Sequence, residues 1–304
     1  MNILIFGKGQ LGQAFLEHFI ANGDAAAFGP EVDIRKLDQV QAAIKAQKPD
    51  VVINAAAKTN LDWCEQNKLE CFDNNTLGPD TVGQACQDAK VYLVHISTGC
   101  IQASKTNDDI HKEDDPPTPT SFYSWSKYWA DQMLELRRTR DGLKLLIVRP
   151  RQPISGKASS RNALVKMSTF SKFIDTPNSM TVIEDFVPAT HELIKQNAQG
   201  VFNVANPGIM TPYHAAELLK EYVNPNMEFV KISKEELNKM TFAERIDSVL
   251  DMSKLEAAGI KLKPIEERLR ELLPELKKDL DAHPEVLDTT KKETVAKLSL
   301  KSLT

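Results

Sequence analysis

The amino-terminal string Met1-Asn2-Ile3-Leu4-Ile5-Phe6-Gly7-Lys8-Gly9-Gln10-Leu11-Gly12 constrains the fold more than any other part of the chain. Its apolar run reads as a buried strand, and the glycines after it open into a segment of helical period. Strand, glycine-rich turn and helix in that order begin a βαβ unit, whose parallel strands require a helical crossover. The absent side chains at Gly7, Gly9 and Gly12 let a pyrophosphate approach the free N–H groups of the helix start. The alternative is a tight turn that needs glycine for its backbone alone.

The same alternation continues downstream. Strands are expected near 25–28, 51–54, 91–96 and 144–148, with helices over about 11–21, 34–46 and much of 69–88. This is an α/β pattern and predicts a Rossmann-type doubly wound parallel sheet. At 304 residues the chain has room for a smaller substrate-binding lobe as well. Residues 1–153 plus about 181–205 are expected to form the dinucleotide-binding domain, and about 154–180 plus 206–280 the lobe. Helices are expected over 163–173, 213–222 and 265–280, a late strand at 200–204, and a polar, poorly ordered tail over 281–304.

Composition excludes several classes. A net charge of −4 gives no attraction to nucleic acid or membrane surfaces, and no apolar run approaches the ~20 residues of a membrane span. With no basic leader before the first strand, a cytoplasmic protein is expected. Cys64, Cys71, Cys86 and Cys100 form neither CxxC pairs nor a regular framework, so no metal site and no disulfide is expected.

The chemistry-bearing residues gather around the fourth and fifth strands. Tyr123 and Lys127 stand one helical turn apart, about 5–6 Å between Cβ atoms, so the ammonium is expected to lower the phenol's pKa. Thr98, at a strand end, can hydrogen-bond a substrate carbonyl. The alternatives are a solvated helix face for the pair and a backbone-satisfying hydroxyl for Thr98. Asn54, Ala55, Ala56 and Ala57 leave room for a cofactor beside the glycine turn. Glu31 after the second strand favours NAD, whereas Lys8 offers a phosphate contact. The loop over 106–120 is a candidate site wall.

Five strings carry a family resemblance: Asp62-Trp63-Cys64-Glu65, Thr98-Gly99-Cys100-Ile101, Ser121-Phe122-Tyr123-Ser124, Gln152-Pro153-Ile154-Ser155 and Pro177-Asn178-Ser179-Met180-Thr181. Over about residues 1–275 the chain resembles the extended short-chain dehydrogenase/reductases of the dTDP-4-dehydrorhamnose reductase group. Within that group it is most similar to the bifunctional nucleotide-rhamnose synthases of plants, which act on UDP-4-keto-6-deoxyglucose as 3,5-epimerase and 4-reductase. The resemblance implies Thr98, Tyr123 and Lys127 as the reductase triad, with Asn75 in a supporting position. It also implies that Cys100 and Lys166 exchange protons beside the ketone. By residue type alone, Cys100 could equally be a small buried hydrophobe and Lys166 a solvated helix lysine.

The expected enzyme is thus an NADPH-dependent oxidoreductase, with NADH left open, that epimerises and then reduces a nucleotide-linked 4-keto-6-deoxy sugar to a nucleotide-rhamnose. Cofactor contacts are expected from Gly7, Lys8, Gly9, Gln10, Leu11, Gly12, Asp33, Ile34, Asn54, Ala55, Ala56, Ala57, Asn75, Tyr123, Lys127 and Arg149. Arg151, Gln152, Asn162, Asn178, Ser179 and Met180 are expected on the substrate side. A homodimer is left open. Two rival readings are a reductase alone and a non-catalytic nucleotide-binding subunit similar to the regulatory subunit of methionine adenosyltransferase.

Overall fold

The computed structural model describes residues 1–106 and 108–292. Its strands are β1 (Asn2–Phe6), β2 (Ala25–Phe28), β3 (Val51–Asn54), β4 (Tyr92–Ile96), β5 (Ile110–His111), β6 (Leu145–Arg149), β7 (Pro153–Ile154), β8 (Lys172–Phe173), β9 (Thr181–Val182), β10 (Gly200–Asn203), β11 (Val230–Lys231) and β12 (Val249–Leu250). Helices are α1 (Gln10–Ala21), α2 (Leu37–Gln47), α3 (Leu61–Gln66), α4 (Lys68–Phe72), α5 (Gly78–Ala89), α6 (Phe122–Asp141), α7 (Ala163–Met167), α8 (Ile183–Lys195), α9 (Pro212–Tyr222), α10 (Lys234–Met240), α11 (Ser253–Ala257) and α12 (Ile265–Ala282).

Six strands form one parallel sheet in the order β10-β6-β4-β3-β1-β2. The chain winds from β1 to β2 in one direction and then crosses back to β3 in the other. This reversal opens a crevice at the carboxyl ends of β1 and β3. Both faces of the sheet are covered, which is why its central strands read as unbroken apolar runs. Ile3, Ile5, Ile53 and Val94 pack on Phe15, Phe19 and Phe186 of α1 and α8. Leu4, Val52, Leu93 and Ile147 pack on Val40, Val82 and Leu134 of α2, α5 and α6. The expected Rossmann-type sheet is therefore present.

A separate apolar cluster joins Leu164 and Val165 of α7 to Leu218 and Leu219 of α9 and to Leu269, Leu272 and Leu276 of α12. Residues 285–292, within the stretch expected to be a polar tail, are helical, and Val286 and Leu287 rest on this cluster. Residues 293–304 of that stretch lie outside the described residues.

Two local expectations are corrected. The helix expected over 163–173 stops at Met167, because the Ser168 and Thr169 hydroxyls bond the carbonyls of Val165 and Lys166 and close the turn. Sequence reading also missed α8, whose internal Pro188 reads as a helix breaker. Between α4 and α5 a π-helical turn, Asp73–Leu77, carries the buried Asn75 and Thr76 against α6.

Candidate active site

The crevice between β1 and β3 is a cavity of about 660 Å³ lined by Gly7, Lys8, Gly9, Asp33, Ala56 and Lys58, among others. Gly7 has φ +99°, and a Cβ there would meet the Ala56 nitrogen at 2.5 Å. At Gly12 a Cβ would lie 1.9 Å from the Gly7 carbonyl oxygen, so turn and helix can approach this closely only without side chains. Gly9, by contrast, faces open space. As the N-cap of α1 it provides no side-chain acceptor, so the first-turn N–H groups remain for a ligand's oxygens. These observations fit a dinucleotide pyrophosphate. Lys8 and Glu31 are 3.8 Å apart, and Asp33 holds Arg35 in a two-pronged ion pair. Arg35, held by the crevice residue Asp33, is a cation that the sequence reading did not single out.

Thr98 follows β4, and Tyr123 and Lys127 project from the first turns of α6. The helix begins where it does because Ser121 caps it, while the Glu65 carboxylate accepts the Phe122 N–H at 2.5 Å. Thr98 is near enough to the Tyr123 phenol to pull its pKa down, and its Oγ1 accepts the Cys100 N–H at 3.1 Å. The phenol's pKa moves opposite to the expected direction, and Lys127 is not among the groups that shift it. Burial raises it, aided by the neighbouring Cys100, and this outweighs the opposing pull of Thr98 and Arg151. Lys127 is 1 % exposed, and burial brings its ammonium down to about 8. Its Nζ donates to the Ile96 carbonyl at 2.9 Å and contacts His95 Nε2 at 3.2 Å.

Cys100 lies beside Tyr123 in a cluster that also holds Cys64, Cys71 and Ile246. The cation on its sulfur is Arg151, whose Nη1 donates to Sγ at 2.8 Å. Arg151 is itself buried and held by Asn178 Oδ1 and the Ile246 carbonyl. Lys166 sits half-buried on α7, three residues beyond the start of that helix.

Several other expected ligands are engaged within the protein. Arg149 and Asp131 form a buried pair, with Nε and Nη2 at 3.1 and 3.0 Å from Oδ2, and Nη1 donates to the Glu113 carbonyl in the long loop. Asn162 caps α7 and ties down Ser155 and Lys157. Asn178 binds Asp247 as well as Arg151, and Ser179 Oγ accepts the Leu250 N–H at 3.0 Å. Met180 belongs to the apolar cluster of the smaller lobe. Ile34 packs beneath α2 and α5 and also lines the crevice, as expected of it. Asn75 bonds both backbone groups of Lys58, Ser126 Oγ and Cys71 Sγ. Gln152, at φ +42°, is a non-glycine residue in the left-handed region directly beside Arg151. Asp62 clamps the 242–245 segment through two backbone N–H groups and Arg245. No group of three or more potential metal ligands occurs among the described residues, and none of their helices is long and apolar enough to cross a membrane.

A nucleotide crevice, a buried Tyr-Lys pair and a strand-end Thr are what a nicotinamide-dependent carbonyl reductase requires, and the comparisons agree. The chain is 31% identical over 279 residues to the bifunctional dTDP-4-dehydrorhamnose 3,5-epimerase/dTDP-4-dehydrorhamnose reductase of Arabidopsis thaliana, covering 88% of this chain and 91% of that one. A UDP-rhamnose synthase from Acanthamoeba polyphaga mimivirus superposes with a TM-score of 0.83 at 26% identity, over 90% of this chain and 99% of that one. The fold is shared too with a Bacillus anthracis dTDP-4-dehydrorhamnose reductase solved with NADP, at a TM-score of 0.79 and 23% identity over 90% and 99% of the two chains. The description "RmlD substrate binding domain" matches residues 1–278, so the chain belongs to that family.

Proposed function

We propose that the chain is an NADPH-dependent oxidoreductase that epimerises C3 and C5 of a nucleotide-linked 4-keto-6-deoxyhexose and then reduces C4, giving a nucleotide-L-rhamnose. The observation that carries this reading is the meeting of two functions at one strand end: Cys100 and the Tyr123 phenol share one buried cluster, Thr98 accepts the Cys100 N–H, and Arg151 holds the Cys100 sulfur. A single anchored carbonyl serves both steps, since a donor at its oxygen stabilises an enolate as well as a developing alkoxide.

Bound in the crevice, the cofactor supplies hydride. Gly7, Gly9, Gly12 and the first turn of α1 hold its pyrophosphate, and Ala55, Ala56 and Ala57 leave space for it. Tyr123 donates a proton to the C4 oxygen; a phenol kept protonated by burial suits a donor. Thr98 orients that oxygen. Cys100 and Lys166 exchange the C3 and C5 protons, with Arg151 fixing the sulfur. Residues 1–153 plus 181–205 bind the cofactor and 154–180 plus 206–280 the sugar nucleotide, on this proposal.

Turnover of the 4-keto sugar in deuterated water tests the two halves. Label at C3 and C5 of a C4-reduced product is expected; C4 reduction without label would remove the epimerase. Cys100→Ala is expected to abolish label while a pre-epimerised substrate is still reduced. Loss of neither would make Cys100 a packing residue.

A further inference from the structure

The chain of contacts behind Lys127 has a fixed direction. Asn54 and His95 are paired on adjacent parallel strands β3 and β4, so their side chains leave the sheet on the same face, the one α6 covers. The Ala56 N–H lies 3.2 Å from Asn54 Oδ1. A peptide N–H can only donate, so the amide oxygen must be at this end. The NH₂ end then faces His95 Nδ1 at 3.4 Å. An amide NH₂ can also only donate, which makes Nδ1 the acceptor and puts the neutral ring's proton on Nε2. His95 is fully buried, and burial together with Lys127 holds its pKa well below the ordinary imidazole range, so the ring is neutral.

Nε2 stands 3.2 Å from Lys127 Nζ. A protonated Nε2 donates and cannot accept, and an ammonium offers no lone pair. The contact is a hydrogen bond only when Nζ is an amine, which accepts from Nε2 while donating to the Ile96 carbonyl at 2.9 Å. We propose that His95, oriented by Asn54, is a positioning residue that selects the free-amine form of Lys127.

The other ionisable groups acting on Nζ are Asp131 on its own helix and Cys71 on α4; Asp131 is paired with Arg149. Asp131 and Cys71 favour the ammonium, yet burial brings Lys127 to about 8. The amine is thus within reach near neutral pH. This inference rests on the reductase reading for its purpose. Each reduction transfers the phenol proton of Tyr123 to the C4 oxygen. The phenolate regains its proton from solvent, and a Lys127 ammonium of lowered pKa is an acid strong enough to supply it, the amine being reprotonated by water.

The test uses the free protein, without cofactor or sugar. In ¹⁵N-histidine-labelled protein near pH 9, above the Lys127 midpoint of about 8, His95 is expected as the Nε2–H tautomer; Nδ1–H or imidazolium overturns the proposal. In ¹³Cε-lysine-labelled protein, Lys127 is assigned by the signal missing from Lys127→Met. Its midpoint is expected to rise by about one pH unit in the near-isosteric Asn54→Asp, whose second oxygen turns the ring to Nδ1–H and frees Nε2 to accept from an ammonium. His95→Gln, whose amide oxygen accepts from an ammonium, is expected to move it the same way. An unchanged midpoint in folded Asn54→Asp overturns the proposal. The wild-type tautomer stays decisive if either variant does not fold. Absence of NADPH oxidation would sink the reductase reading and leave these resonances as they are.

Discussion

Lys127→Met is expected to change how stability depends on pH, and the size of the change follows from burial. The lysine binds its proton with a pKa of about 8 in the folded chain, against the ordinary 10.5 when unfolded. Below about 8 both states carry the proton, and above about 10.5 neither does. In between, the unfolded chain binds more protons, so the wild-type protein gains stability as pH rises through this window. The full gain is about 3 kcal/mol at 1.36 kcal/mol per pKa unit, of which roughly 2 kcal/mol accrues between about pH 7 and 10. Tyr92, Tyr123 and Cys86, all raised by burial, work in the opposite direction at alkaline pH. They are common to both proteins and cancel in the difference. Urea unfolding of wild type and Lys127→Met across this range, extrapolated linearly to water, gives the difference directly. The wild-type advantage should grow by roughly 2 kcal/mol on going from neutral to alkaline pH. A difference flat to within about 0.5 kcal/mol, or one that shrinks, refutes the claim that burial depresses Lys127.

Tyr123→Phe should lower kcat for C4 reduction by about 10²–10⁴-fold while NADPH still binds, read by cofactor oxidation and fluorescence; full turnover would free Tyr123 of its assigned role. Gly12→Ala sets a Cβ 1.9 Å from the Gly7 oxygen, so it should weaken NADPH binding and destabilise the fold by about 1–3 kcal/mol. Unaltered cofactor affinity in that variant would mean that the turn does not form the pyrophosphate seat. Asp131→Ala leaves the Arg149 guanidinium buried and unpaired, and should cost roughly 3–5 kcal/mol in urea unfolding; a loss below about 1 kcal/mol would show that the pair is solvated.

The sheet was legible in the sequence because it is buried on both faces, so Ile3 to Phe6, Val51 to Asn54 and Leu145 to Val148 have no polar alternation to obscure them. The glycine turn was legible because its steric demand falls on two residues close in the chain, Gly7 and Gly12. Two-residue pairings such as Ile110–His111 with Val249–Leu250 were not, since too few positions exist for any period to register. The helix α8 has an apolar face that runs past its internal Pro188 through Ala189, Leu193 and Ile194, and the sequence analysis assigned no element there.

The site was legible as residue types and not as partnerships. Spacing brings Tyr123 and Lys127 together because one helical turn fixes their separation, whereas Cys100 and Arg151 are 51 residues apart and meet only through the fold. His95 lay inside an apolar run and passed as part of a strand. Its register against Asn54, and α6 packed over both, make it the neighbour of Lys127. Spacing also carries no information on desolvation, which is why the phenol of Tyr123 moves up where a drop was expected. The reversal bears on mechanism. With the phenol raised and the ammonium lowered, the proton rests on Tyr123 in preference to Lys127. A phenol kept protonated is set to deliver a proton, which is the direction ketone reduction needs. Alcohol oxidation, which needs a phenolate to accept the proton, is disfavoured by the same burial.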